Sequence, residues 1–404
     1  MEPLFYLFIS PLYGVWGTAL LIGLRLTQVN NSGWQGVGSS YSLELSVLLF
    51  LLFITLLVSI PSLRGEGFLF SSVILLSLLF FKTGSLLLLY TAFEASLIPI
   101  SCIILFWGYQ PERVSASFYL LVYGLTRGLP LASFLFREKQ EELLTVSNFH
   151  PSTSLFWVAT FGFLVKTPLF FFHHWLPKAH VEAPTLGRVL LAGVLLKQGT
   201  YGTVIILNLF QHYYSGIFLY LRFLGAGFMP LAVAAATDIK AWVALSSVVH
   251  INALVTGLLT FSRVSKTNSI LIILFHGVTS RGMFLIAGGL IHRFNTRRFY
   301  SIQGCSSIEQ VIFLLFLFCN MGVPPFARFL REFLHYAVLT SFIGGLGFLW
   351  ILNFVGVFYY CLFVSQVINK LPGTFTSQRM GRSRLVLGLI CAAVLNLRTL
   401  SWVF

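Results

Sequence analysis

Apolar runs of about twenty residues recur along the whole chain, and that is the length a helix needs to cross the hydrocarbon layer of a membrane. This recurrence constrains the fold more than any motif does. The chain has 404 residues, of which 57% are hydrophobic and 9% charged, and its mean hydropathy is +0.87. A soluble core of that length could not hide so much apolar surface. The runs are continuously apolar instead of alternating, which argues against a transmembrane β-barrel. The chain therefore reads as an all-α polytopic membrane protein.

About thirteen spans are expected, with boundaries uncertain by about two to four residues. They cover 4–24, 43–61, 67–83, 84–106, 114–136, 152–172 and 186–210, then 215–236, 238–262, 268–291, 308–336, 338–369 and 384–403. The third and fourth are divided at Lys82-Thr83-Gly84, and the eleventh is interrupted at Pro324-Pro325. No polar segment is long enough for a soluble domain, so 1–404 reads as a single transmembrane domain. The start, MEPLFYLFISPLYG, reads as the first span and not as an Arg-rich leader.

The net charge of +14 has to be judged by where it lies. Even-numbered loops carry Arg64, Arg113, Lys178, Arg293, Arg297, Arg298, Lys370, Arg379, Arg382 and Arg384. Odd-numbered loops hold Arg25, Arg137 and Lys139 beside three glutamates (Glu138, Glu141, Glu142), then Arg263 and Lys266. The positive-inside rule places the N-terminus and the even loops on the matrix or cytoplasmic side. The basic balance thus belongs to membrane topology and not to nucleic acid. The five cysteines, Cys102, Cys305, Cys319, Cys361 and Cys391, contain no CxxC pair, so neither a disulfide framework nor a metal cluster is expected.

Chemistry concentrates between Phe161 and Gly202, in FGFLVKTPLFFFHHWLPKAHVEAPTLGRVLLAGVLLKQGTYG. Lys166 and Lys197 each lie inside an apolar segment with no acid at helical spacing on it. A lysine at bilayer depth costs about 2.5–3.5 kcal/mol, so it is expected to face the bundle interior and find a partner. Pro168 removes a backbone donor beside Lys166, which predicts a broken helix there.

Only two of the twelve acids lie away from predicted loops and span ends: Glu94 in the fourth span and Glu332 in the eleventh. A carboxylate beside an ammonium can stay charged in an apolar setting, so Glu94 and Lys166 make a candidate intramembrane pair, with Glu332 a second acidic station. The blander alternative is that such a pair only locks helices together. His250 and His276 lie in apolar spans and could pass a proton, although a lone buried histidine is more often a packed hydrogen-bonding group. Asp238 in TDIK, two residues before Lys240, is placed as an N-cap. The connector holds His173, His174, His180 and Glu182, but its prolines and the absence of an HExxH spacing favour a rigid turn over a metal site. There is no Walker A loop, no GxGxxG and no haem or flavin signature in the sequence, so no redox cofactor is expected in this chain.

In series, FEASLIP, WGYQPER, FLVKTP, HHWLPKAHVEAP, LAGVLLKQGTYG, TDIK, SSVVH, FHGVTS and the double proline followed by Glu332 resemble one family. It is the subunit-four family of antiporter-like, proton-pumping membrane subunits of NADH:ubiquinone oxidoreductase, respiratory complex I. The match spans roughly residues 70 to 340 in order, while the first 65 and last 60 residues carry no matched motif. The resemblance implies an antiporter-like fold of two inverted five-helix repeats, with broken helices near Lys166-Pro168 and Pro324-Pro325. On this chain those regions fall at 84–210 and 215–340, with N-terminal helices at 1–83 and C-terminal helices at 341–404. The family has one more span than expected here, which fits loss of its first helix. The resemblance also implies that Glu94 pairs with Lys166, that Lys197 is central, and that Lys240, His250 and His276 continue a hydrated axis to Glu332, the proton-exchange acid. FMN, iron–sulfur clusters and ubiquinone are expected in other subunits. The expected partners are the neighbouring antiporter-like subunits and lipids such as cardiolipin, in the mitochondrial inner membrane.

Arg127, Arg188 and Arg281 depart from the family pattern, which has Ser or Gly there. Arginine does not deprotonate, so each needs a carboxylate, carbonyls or water. The other reading is an organellar code in which AGA/AGG specifies Ser or Gly. Arg331 places a fixed cation next to Glu332 in sequence. Two competing functions remain: a subunit of a cation/proton antiporter or membrane-bound hydrogenase, which shares the Glu/Lys constellation, and a scaffold in which Glu94–Lys166 is structural.

Overall fold

The computed structural model describes residues 66–137, 153–209, 216–298 and 307–342, apart from positions 84, 261 and 325. The expected spans at 4–24, 43–61 and 384–403, and most of 338–369, lie outside them. So do Cys305, Cys361 and Cys391. Among the described residues the secondary structure is helical, with an isolated backbone bridge between Asp238 and Arg298.

Helix α1 (Glu66–Lys82) stops at the Lys82-Thr83-Gly84 division, and α2 (Leu86–Ala95) begins after Ser85. Ser96 is a one-residue joint between α2 and α3 (Leu97–Trp107), so the two form one apolar span, Leu87–Trp107. Then come α4 (Arg113–Arg137) and α5 (Thr153–Lys166). The helix of α5 ends at Lys166 because Pro168 cannot donate to the carbonyl four residues back. The chain does not re-enter helix until α6 (Trp175–Glu182), and Phe171 in between has φ 71°. A bulky residue in the left-handed region is strained, and such strain tends to collect at functional breaks.

The next span is a composite. It starts as α7 (Thr185–Leu190), widens into a π-helical turn at Leu191–Leu195, and continues as α8 (Leu196–Leu209). A π turn inserts a residue into the helical register, and it ends two positions before Lys197. Helices α9 (Gly216–Ala235), α10 (Ile239–Leu258) and α11 (Arg263–Phe294) follow. Then α12 (Ser307–Met321) and α13 (Ala327–Phe342) are separated by Gly322, whose φ of 67° turns the chain out of helix before Pro324. Among the described residues, four composite or single helices are long and apolar enough to cross a membrane: Leu87–Trp107, Gly187–Leu207, Ile239–Leu258 and Val264–Phe294.

One cluster of buried apolar side chains runs through these helices, from Phe80 and Phe93 by way of Phe163, Leu191 and Val243 to Phe316. Helix α5 packs on α8, α9 on α10, α10 on α11, and α11 on α13. The two broken helices thus lie against the spans that carry Lys197, His250 and His276: α8, α10 and α11.

Candidate functional site

The site begins with an aromatic stack. Phe80 lies over Phe93 at 5.5 Å and Phe93 over Phe163 at 4.9 Å. Lys166 Nζ sits 3.6 Å from the centroid of Phe93 and donates to Glu94 Oε1 at 2.7 Å. Both side chains are largely buried, at 7% and 11% exposed. Glu94 Oε2 is buried with no hydrogen-bond partner, so the carboxylate has acceptor capacity left inside the protein. Gly128 on α4 makes the room: a side-chain carbon there would overlap the Glu94 carboxylate.

The break after Lys166 is held by a residue the sequence reading overlooked. Pro168 leaves the Leu164 carbonyl without its helical donor. Arg222 Nη2, from α9, donates to that carbonyl at 2.6 Å and also to Thr167 Oγ1. Its Nη1 donates to Pro168 O at 3.2 Å and to Asn252 Oδ1 at 3.0 Å. Asn252 Nδ2 closes the set on Pro168 O at 3.2 Å. A fully buried guanidinium is thereby spread over carbonyl, hydroxyl and amide oxygens. The signal in the sequence was a single arginine in the apolar run IFLYLRFLGAG.

Lys197 differs in kind from Lys166. It is 2% exposed and donates to the carbonyl of Ala192, a π-turn residue, and among the described residues no carboxylate pairs with it. A small cavity beside it is lined by Lys197, Thr200, His250 and His276 among apolar side chains. The rings of His250 and His276 are 5.9 Å apart. His250 Nδ1 comes within 4.0 Å of Glu332 Oε1 on α13.

Glu332 also meets a guanidinium, but not the one sequence adjacency suggested. Arg328, one turn earlier, holds Glu332 Oε1 at 2.6 Å, whereas Arg331 reaches Asn268 at 3.3 Å. Residues four apart share a helix face and neighbours in sequence do not, so the i,i+4 spacing was the signal. Arg328 Nη1 also donates to Asn320 Oδ1 at 3.0 Å, and Thr279 Oγ1 donates to the same oxygen at 3.5 Å.

Lys240 is buried apart from the cavity, donating to Val181 O at 3.0 Å on the connector. Asp238 occupies the N-cap position of α10 with φ −96° and ψ 131°, but its side chain makes no cap hydrogen bond. A backbone bond from Ile239 N to Arg297 O, at 3.1 Å, serves that end instead. Glu182 stands 3.7 Å from Arg297. Burial pushes the Glu182 carboxyl up, opposed by the Arg297 cation.

Two of the connector histidines, His180 and His173, are packed, neutral groups. His180 stacks on Phe284 at 4.6 Å, and burial with the Arg188 and Lys197 cations pushes it down to about 3. His173 is pushed down to about 4 by burial and by His174. Among the described residues no group of three or more His, Cys, Asp or Glu side chains is placed to hold a metal ion.

Of the three unexpected arginines, Arg127 lies among aromatic faces, 4.8 Å from Phe172, 5.5 Å from Tyr123 and 5.7 Å from Phe161. Arg281 is buried at 3%. Arg188 is 1% exposed with Nε and Nη1 unpartnered, the least favourable setting of the three.

Residues 83–359 match the family described as NADH:quinone oxidoreductase/Mrp antiporter, TM. The NADH-ubiquinone oxidoreductase chain 4 of Caenorhabditis elegans is 35% identical over 307 residues, 74% of each chain. The fold is shared with a chain of respiratory complex I from Thermus thermophilus, at TM-score 0.78 and 20% identity, covering 94% of this chain and 89% of that one. It is shared equally with a chain of the Mrp complex from Dietzia, at TM-score 0.79 and 16% identity, covering 96% and 88%. Likeness at that identity speaks for the fold alone, whereas the curated relative shares over a third of its aligned residues. The chain belongs to the NADH:quinone oxidoreductase/Mrp antiporter family of membrane subunits and, within it, to the NADH-ubiquinone oxidoreductase chain 4 proteins.

Proposed function

We propose that this proton-pumping membrane-arm subunit moves protons along one buried axis, Glu94–Lys166, then Lys197, then His250 and His276, then Glu332. The observation that carries the reading is the cavity that brings Lys197 together with both histidines, one of which reaches within 4.0 Å of Glu332. That cavity is small, and a polar lining of an ammonium, a hydroxyl and two imidazoles suits water.

The chemistry follows from the difference between the two lysines. While Lys166 is paired, both its charge and that of Glu94 are stabilised in place. Among the described residues Lys197 has only the Ala192 carbonyl to answer its charge, so its proton is the more easily surrendered. Separating Glu94 from Lys166 makes both charged forms costlier, and a change of about 1.4 kcal/mol already shifts a proton equilibrium tenfold. A proton leaving Lys197 Nζ finds an imidazole nitrogen across the cavity. From there it passes to the Glu332 carboxylate, which Arg328 holds in position. The displacement that loosens the pair comes from neighbouring antiporter-like subunits through the same charge coupling along the membrane plane.

Lys240 belongs to this scheme as an uptake group. It stands beside the connector, with Glu182 and Arg297, at the ends that the loop charges assign to the matrix side of the mitochondrial inner membrane. The same charges put the N-terminus on that side, and cardiolipin suits the basic face there. Redox cofactors fall to other subunits, since the scattered cysteines provide no cluster-binding pattern. The test is Lys166→Met in the assembled enzyme: coupled proton translocation is lost while assembly persists. Undiminished pumping by that variant would sink the axis.

A further inference from the structure

One buried histidine takes no part in the axis described above. His335 lies one turn beyond Glu332 on α13 and is 2% exposed. Its Nε2 is 3.3 Å from the carbonyl oxygen of Ala253 on α10. A carbonyl only accepts, so Nε2 carries the hydrogen and donates it there. Nδ1 is then the nitrogen free to gain and lose a proton. It faces two hydroxyls on α11, Ser265 Oγ at 3.3 Å and Ser269 Oγ at 3.4 Å.

These two hydroxyls serve both protonation states of the ring. Ser269 donates its own hydrogen to Ser265 O at 2.7 Å, so toward His335 it can only accept. Ser265 Oγ can donate to an unprotonated Nδ1 and can accept from a protonated one. The neutral ring and the imidazolium therefore both find partners without a backbone change. The socket is also shaped for the ring, because a side-chain carbon at Gly257 would overlap the imidazole.

The surroundings point outward. Ser265 sits in the first turn of α11, capped by Ser262 Oγ, which accepts from Ser265 N at 3.1 Å. Ser262 Oγ lies 3.5 Å from Thr260 Oγ1 in the α10–α11 turn. Ser265 is fully buried, Thr260 is 5% exposed and Ser262 is partly open, so hydroxyls step from the interior toward the end of the bundle. That turn is an odd-numbered loop, on the side opposite the matrix by loop charge. Helix α13 runs from its break toward the same side.

We propose that His335 is the release group of the pump, taking the proton from Glu332 and passing it through Ser265 toward the α10–α11 turn. The proposal rests on the axis reading, because it begins where that axis ends. The step balances. The Glu332 carboxyl loses one proton and becomes a carboxylate, and Nδ1 gains it to form an imidazolium that keeps Nε2–H on Ala253. Nδ1 then gives up one proton to Ser265 Oγ as that hydroxyl releases its own hydrogen toward the α10–α11 turn, and the ring returns to neutral. No electrons move.

The experiment uses the assembled enzyme in sealed vesicles oxidising NADH, with acidification of the release compartment and turnover measured together. Glutamine at this position can still donate to Ala253 O and accept from Ser265, but it cannot carry a proton. His335→Gln is expected to slow proton release at least about tenfold with assembly retained, in line with loss of a positioned proton-transfer group. Parental rates in this variant would overturn the proposal. If it does not assemble, the Ser265→Ala/Ser269→Ala double variant decides: slowed release supports the route, and parental release refutes it. Glu332→Gln, measured alongside, separates the two ideas. Loss of pumping there with normal His335→Gln rates defeats the release group alone, whereas normal pumping in Glu332→Gln defeats the axis itself.

Discussion

Lys166 and Lys197 lie on neighbouring spans, both almost fully buried, yet they answer the cost of burial in opposite ways. Lys166 stands at a proline break and spends its charge on a carboxylate 2.7 Å away, above the face of Phe93. Lys197 stands just past a π turn and has the Ala192 carbonyl in place of an acid. A paired lysine is held in one protonation state, while a lysine answered by a carbonyl dipole is far less firmly held. On the proposed axis, the first site stores a charge and the second gives up a proton. Each irregularity of helix serves its lysine: the proline end leaves carbonyls that Arg222 binds, and the π turn offers Lys197 a main-chain acceptor.

The contrast breaks most severely at Lys197. Lys197→Met removes the only ammonium in the cavity lining and should lower coupled pumping at least about a hundredfold, the scale expected for a proton-transfer group. Lys197→Arg should be nearly as damaging, because a guanidinium does not deprotonate. Proton translocation by either variant at parental rates, in vesicles with normal assembly, would erase the distinction between the two lysines.

A milder lesion sharpens the other side. Gly128→Ala places a carbon where the Glu94 carboxylate now lies, so the acid must shift away from Lys166. Several-fold slower pumping with unchanged expression is the expected result, on the order of 1 kcal/mol in coupling. An alanine at 128 that changes neither pumping nor the Glu94–Lys166 distance in a structure of the variant would show that the pair has slack.

The smallest effect concerns stability. His180 has its ordinary value of 6.5 lowered to about 3 by burial, so the folded protein keeps it neutral while the unfolded chain takes up a proton below 6.5. Its contribution is complete above that value and is lost as pH falls, by about 1.4 kcal/mol per pH unit in the window just below 6.5. His180→Phe should flatten that part of the pH dependence of thermal unfolding. An unchanged slope would mean that the ring is not held neutral.

Much of this was legible in sequence because it rests on few residues with strong physical preferences. Pro168 and the Pro324-Pro325 pair announce their breaks, since a missing donor ends a helix in any context. Glu94 and Lys166 could be paired on paper because an intramembrane charge demands a partner and few were on offer. What stayed hidden depended on contacts between distant segments. Arg222 reaches a break 54 residues away, and His335 meets serines 66 and 70 residues away. The π turn at Leu191–Leu195 has no composition that marks it. Arg328 was within reach of a local rule, because a residue four positions before Glu332 shares its helix face while its sequence neighbour Arg331 does not.

The central claim is that the Glu94–Lys166 pair works as a switch and is more than a brace. Replacing both members with apolar residues of similar volume, Glu94→Leu with Lys166→Met, removes the buried charges together and should spare stability, whereas removing one member costs about 3–5 kcal/mol. Proton translocation per NADH oxidised by the assembled double variant is therefore the most direct measurement. The account predicts normal assembly with pumping abolished. Normal assembly with full pumping would contradict it and leave the pair as a scaffold.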